Sequence, residues 1–442
     1  MKNLIRILLF TVISTPIFAQ KSFTIEDAYK YALENNVQIK KAIIDQEIAQ
    51  QKVKETIGIG VPQVTGQAKY TNYLNIPVQL MPNALFGKFD GGFSPVQFGQ
   101  QHNGSAGISV SQLLFNGSYI VGLESAKTYK ETAALVKEKT DLSIKMAIML
   151  SYAGVLVTDE NIKTLLENQK VAAKSLNDTK ETYKLGLIEL QNVEQLEYSY
   201  KSLETNIRNL KRTREQLLTS LKYLMGFQLD DSLELITSLD ELVQKNQVLL
   251  PQENSLDFSQ HIDVRLKQNQ IRISELLLKL QKSIALPTLV AFFNTQSSAQ
   301  NGTFSLFNTS QKWFNTSLFG VQLDVPIFSG FQRHWQTEEA KLSLKKAKLD
   351  KDDTEKSLKN NFLARKTDYD NANDSYQTAQ ELVKLSSSIY NKQQLKFKEG
   401  MGTSMELQQA ETQLYGSQST YYQSALNLIQ AKTKLDEALG KL

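Results

Sequence analysis

The chain has 442 residues, a net charge of +4 and no cysteine. A length like this would ordinarily fill two or three globular domains, but 8 Pro and 21 Gly set among stretches of Ala, Leu, Lys, Glu and Gln describe long helices instead. The charge falls to +2 once a leader carrying Lys2 and Arg6 is removed, too little for a nucleic-acid binder, and disulfides and a lipid-bearing cysteine are excluded.

Residues 1–19 read as a secretory signal. Lys2 and Arg6 form the positive end, Ile7 to Ile13 the apolar core, and Ala19 a suitable last residue before cleavage. A helix is expected near residues 25–58. Two strand candidates follow, 63–73 and 105–115, joined by the aromatic- and Gly-rich loop 74–104. In the second strand Ala106, Ile108 and Val110 alternate with Ser109 and Ser111, the period of two of a half-buried strand. From Ser118 to Leu185 only Gly122 and Gly154 interrupt a helical run, and a short turn at Gly186 leads to a return helix ending before Gly226.

Beyond residues 227–256 the same order begins again. A shorter helix candidate, 257–285, precedes strands at 288–298 and about 318–325, where Phe319, Val321, Leu323 and Val325 alternate with Leu318, Gly320, Gln322 and Asp324, leaving most of the second face polar. Between them, in loop 299–315, Trp313 with Phe314 suits an interfacial aromatic girdle. Phe331 to Glu399 contains neither Gly nor Pro and, as one helix, is roughly 100 Å long. A turn at Gly400 to Thr403 leads to the last helix, which stops before Gly440. QLLFNG at 112–117 and VPIFSG at 325–330 mark matching junctions, and the paired glycines 186/400 and 226/440 repeat at about 214 residues. That period is too long for a solenoid unit and describes a duplicated module. The expected organisation is signal peptide 1–19, first repeat 20–226, linker 227–256 and second repeat 257–442.

The long helices carry heptads. Phe362, Tyr369, Tyr376, Val383, Tyr390 and Phe397 recur every seven residues, in phase with Ile148, Val155, Ile162, Gln169, Leu176 and Tyr183 of the first copy. The return helices alternate steps of three and four, through Leu407, Ala410 and Leu414 in one and Val193, Leu196, Tyr200 and Leu203 in the other. A sustained 3.5-residue period implies left-handed supercoiling with knobs-into-holes packing. Arg214 is the odd member of its seam, either paired with an acid across the hairpin or snorkelling. The fold class is therefore mainly α, with long coiled-coil-like hairpins and four amphipathic strands. Strands of 9–12 residues suit a tilted membrane crossing. Four cannot close a barrel and an open edge cannot face lipid, so strands in a membrane would require oligomerisation.

In the order and spacing of these marks the chain resembles the TolC-like outer-membrane efflux proteins. The resemblance implies a homotrimer in which four strands per chain share a 12-stranded β-barrel in outer-membrane lipid and the hairpins form an α-barrel tunnel through the periplasm. It also implies a belt at residues 227–256 and work with a periplasmic adaptor and an inner-membrane pump, as an exit duct for efflux or type I secretion. The alternative is a periplasmic coiled-coil adaptor or structural protein, which two hairpins of equal rank disfavour.

The same resemblance assigns the tips. Leu185, Gly186 and Leu187, with Glu399, Gly400, Met401, Gly402 and Thr403, would meet the adaptor. Glu406 and Gln409 stand where relatives carry two aspartates ringing the periplasmic aperture, and Glu189, Asn192 and Glu194 lie on the equivalent first tip. A ring of carboxylates would favour cations. No enzyme site, metal spacing or cofactor motif is visible. His102, His261 and His334 are isolated in sequence and expected at the surface, and the seven methionines form no cluster.

Overall fold

The computed structural model describes residues 21–87, 89–247 and 257–441. The expected signal peptide at 1–19 and the end of the expected linker, 248–256, lie outside the described residues. The chain divides into two compact units. One draws on described residues up to Asp45, on Ala134–Leu266 and on residues from Lys351 onward; the other comprises Gln46–Ala133 and Lys267–Asp350. Each unit takes elements from both of the expected repeats.

In the first unit β1 (Lys21–Phe23) precedes α1 (Ile25–Asn35), which is capped by a Thr24–Asp27 capping box. The helix expected over 25–58 is two helices, α1 and α2 (Val37–Ile59), because Asn36 adopts an extended conformation between them. Its amide donates to the Leu224 carbonyl at 2.6 Å while its Oδ1 accepts the Gln38 and Ile39 N–H groups at 2.7 and 3.2 Å. One side chain thus starts the second helix and ties it to a distant one. The long helix α3 (Gly117–Lys184) and return helix α4 (Leu190–Met225) form the first hairpin, and α7 (Gln332–Lys398) with α8 (Ser404–Ala438) the second. Between them in sequence lie β6 (Leu233–Leu235), α5 (Leu239–Asn246) and α6 (Ile262–Ser283). β6 pairs in parallel with β1, so Lys21–Phe23 is tied to the segment that follows α4.

The heptad reading is realised in the core. Ile148, Val155 and Phe362 are fully buried, and Tyr369 and Tyr376 nearly so. By length and composition α3 alone among the described helices would suit a bilayer, yet its apolar run through Ile148, Tyr152, Val155 and Val157 is packed inside this unit. Tyr152, wholly buried, donates its hydroxyl proton to the Phe23 carbonyl at 2.9 Å and accepts the Thr237 N–H at 3.3 Å. Arg214 resolves as an ion pair across the hairpin with Asp159, and it also reaches Glu215 at 3.1 Å.

The second unit is built on an antiparallel sheet of four strands, β2 (Gln63–Asn72), β5 (His102–Asn116), β7 (Thr288–Asn301) and β8 (Phe314–Asp324), in that order. Its register puts like residues in rows. Val64, Val110, Phe293 and Phe319 stand side by side, while the next row is Thr65, Ser109, Asn294 and Leu318. One face is accordingly apolar through its lower rows and the other is lined by hydroxyls and amides, as the alternation predicts. β2 and β8 each keep one edge that pairs with no strand among the described residues. Loop 74–104 is more ordered than its composition suggests: β3 (Val78–Pro82) and β4 (Phe93–Gln97) pair there as a separate hairpin.

The junction motifs have a local cause. Asn116 in QLLFNG accepts the Tyr119 N–H at 2.8 Å, capping α3, and donates to Thr288 Oγ1 at 3.0 Å, binding β5 to β7. In VPIFSG the matching Ser329 accepts from Arg333 Nε at 2.9 Å, and both Gly330 and Phe331 take positive φ, +58° and +64°.

Candidate functional site

The hairpin tips are in the first unit. At each, the glycine turns the chain with a left-handed backbone, φ +73° at Gly186 and +71° at Gly400, and its amide closes the last helical turn onto Tyr183 or Phe397. A Cβ at either would meet open space, so these glycines are set by conformation rather than by crowding. Gly402 is the opposite case: a Cβ there would stand 3.2–3.3 Å from Lys396 and the Phe397 nitrogen. Leu185, Leu187 and Met401 are at least 71% exposed, an apolar surface without cover in one chain. Glu399 is also exposed.

Past the second tip, Thr403 caps α8 by accepting the Glu406 N–H at 3.2 Å, and the Glu406 carboxylate accepts the Thr403 N–H at 3.0 Å. This capping box holds an exposed Glu406 in one orientation, and the Thr403 hydrogen bonds keep its carboxyl below the usual range. Gln409 is exposed one turn further on. At the first tip Glu189 is the N-cap of α4 without a side-chain cap bond, and Asn192 leans back to its carbonyl at 3.4 Å. Glu194 is exposed. The two return helices meet here, because Ser404 at the start of α8 donates to Gln195 of α4. The expected aperture residues thus belong to two helix ends held together.

Just inside the tips one apolar cluster joins all four long helices: Leu176 of α3, Val193 and Leu196 of α4, Tyr390 of α7, and Leu407, Ala410 and Leu414 of α8. Within it lies a residue that the sequence did not single out. Glu411 is 1% exposed, and no hydrogen-bonding group of the protein reaches either carboxylate oxygen. Burial pushes its carboxyl up to about 7, and the nearby Ser199 hydroxyl opposes this without making a hydrogen bond to it. The heptad reading put the α8 seam at Leu407, Ala410 and Leu414, which leaves position 411 on what looks like a solvated flank. Only the first hairpin, packed on that flank, buries it.

His334 is exposed, but His261 is not, against expectation. It is 6% exposed, starts α6 by accepting the Asp263 N–H on Nδ1 at 3.2 Å, and places Nε2 3.1 Å from the Glu437 carbonyl. His102 is half-buried and bonds the Tyr70 hydroxyl at 2.7 Å on neighbouring strands. Among the described residues no cluster of three His, Cys, Asp or Glu side chains could hold a metal.

Paired helical hairpins and an open-edged amphipathic sheet define the fold of outer-membrane channel proteins that extend into the periplasm. Residues 266–441 match the family model described as "Outer membrane efflux protein". The outer membrane protein TolC of Vibrio cholerae serotype O1 is 19% identical over 445 residues, covering 100% of this chain and 96% of TolC. VceC, an outer membrane protein of Vibrio cholerae, superposes with a TM-score of 0.71 at 15% identity, over 94% of this chain and 96% of its own. The open state of the Neisseria gonorrhoeae MtrE outer membrane channel gives 0.72 at 15% identity, over 94% and 88%. The chain has the fold of the TolC-like outer-membrane efflux proteins, and its second half carries their family domain. That family is one of channels rather than enzymes.

Proposed function

We propose that three copies of this chain form an outer-membrane channel that serves as the exit duct of a tripartite efflux or type I secretion system. The observation that carries this is the sheet. Its four strands have an apolar face with Val64, Ile108, Phe293 and Phe319 at 42–74% exposure, a face of hydroxyls and amides, and two unpaired edges. In lipid every backbone group must be paired, so the β2 edge of one copy meets the β8 edge of the next until the barrel closes. Twelve strands from three chains lie within the range of known membrane barrels. The apolar face then meets lipid, and Thr65, Gln67, Ser105, Ser109, Asn294 and Gln296 line the lumen.

The tips are the periplasmic end of this duct. Leu185, Gly186 and Leu187, with Glu399, Gly400, Met401, Gly402 and Thr403, offer the periplasmic adaptor a small apolar surface on tight turns. Glu406 and Gln409, with Glu189, Asn192 and Glu194, surround the aperture. An inner-membrane pump supplies the energy, and the chain conducts passively. The linker 227–256 contributes to a belt around the helices, and 20–226 and 257–442 are the two repeats. The test is the mass and shape of the protein extracted from outer membranes in detergent. A trimer that inserts into bilayers and conducts supports the reading; a monomer that needs no detergent refutes it.

A further inference from the structure

We propose that Glu411 is a proton-binding site that latches the two hairpins together next to the periplasmic entrance, closed when its carboxyl is neutral and released when it ionises. The assignment of this end as the entrance rests on the function proposed above; the latch itself rests on the packing of one chain.

Glu411 occupies the contact between α8 and α4, two to three turns from the Gly400 tip. Both its oxygens are shut off from solvent within a single chain and neither has a partner. A neighbouring copy therefore cannot supply a cation to it without first opening the contact. The groups that bear on it from the surrounding elements are Ser199 of α4, Tyr390 of α7 and Tyr415 of α8, while α3 offers Leu176. No lysine, arginine or histidine contributes to its electrostatics. A neutral carboxylic acid is tolerated in such a place, but a carboxylate without a partner is not. The two tyrosines report the same conflict: burial first, then the Glu411 charge, raise the Tyr390 hydroxyl to about 12, and burial with the same charge raises that of Tyr415.

The sign is fixed by linkage. The folded carboxyl binds a proton more tightly than the unfolded one, so the contact is strongest in acid and weakens as pH rises from about 4.5 to about 7. That difference corresponds to roughly 300-fold in proton affinity. Ionisation is relieved by admitting water between α4 and α8, which are otherwise pinned nearby by the Ser404–Gln195 hydrogen bond.

The experiment uses the absence of cysteine. Leu187 and Met401, exposed on the two tips, are replaced by cysteine and spin-labelled in the full chain, diluted with unlabelled copies so that each assembly carries one labelled subunit. Pulsed EPR then reads the tip-to-tip distance from about pH 5.5 to about pH 8.5. The expected result is a shift to longer distances with a midpoint near neutrality, lost in Glu411→Gln. Glu411→Met, also neutral at every pH, should give the same loss and serves if the Gln variant fails to fold. A distance independent of pH in the unsubstituted background, or a shift that persists in the neutral variants, overturns the latch. Neither outcome depends on conduction, so a protein that forms no channel would refute the duct and leave this result to be read separately.

Discussion

Tyr152→Phe is the most informative single change in the first unit, because it removes one oxygen and little volume. In the native chain that hydroxyl joins α3 to both strands of the parallel β1–β6 pair at their C-terminal end. The Phe23 carbonyl keeps a second donor after the change, the Ile236 N–H at 3.2 Å. The Thr237 N–H has no such replacement, and Thr237 is only 8% exposed. Orphaning a buried amide costs about 1–3 kcal/mol, and a carbonyl left with one of its two donors costs less. The sum is about 2–3 kcal/mol, concentrated at this junction. Since about 1.4 kcal/mol is tenfold in an equilibrium, hydrogen exchange at Thr237 and the β1–β6 amides should accelerate roughly 30- to 150-fold, with little change at the tips. Unaltered protection at Thr237 would refute the idea that Tyr152 holds β1 against the segment that follows β6.

Other changes separate parts of the structure that look alike in sequence. Gly226→Ala should abolish folded protein in the membrane, because a Cβ would stand 2.4 Å from the Asn35 carbonyl oxygen in addition to the +70° φ; Gly186→Ala, with open space around it, should cost only the backbone strain of about 1 kcal/mol. Immunoblots of membrane fractions would distinguish the two. Glu406→Gln retains an acceptor for the Thr403 N–H, so α8 stays capped while the proposed aperture loses its charge. Single-channel recordings should show lower cation selectivity and weaker divalent-cation block, and unchanged selectivity would remove Glu406 from the aperture. Lys69 and Asp324 are the charged residues on the polar face of the sheet, in the rows Lys69–Ser105–Ser298–Phe314 and Asn116–Thr288–Asp324. Lys69→Glu should therefore move the reversal potential in a salt gradient toward cations, and an unmoved potential would mean this face does not line the pore.

The sequence by itself determined the long helices, the four strands of the main sheet and their order. Sidedness of a strand and the seam of a coiled coil are written in periods of two and 3.5, so the shared face of Ile108 and Val110, that of Phe319, Val321 and Leu323, and the core positions Ile148, Val155 and Phe362 were legible from spacing alone, whereas the register that sets Val110 beside Val64 and Phe293 was not. The duplication gave the two hairpins, and the glycines at 186 and 400 gave their turns, because a left-handed cap is a local property of the backbone. Contacts between elements distant in the chain decided the rest. Nothing near Asn36 breaks the helical pattern; the break is stabilised by Leu224, far away in sequence. His261 looks isolated until Asp263 and the Glu437 carbonyl enclose it. Gly186 and Gly226 have the same φ, yet only the second faces a neighbouring backbone. Glu411 reads as a solvated flank until the first hairpin covers it. Local periodicity fixes which face of an element is apolar, but burial is a property of what that face meets, and only the tertiary structure supplies the second surface.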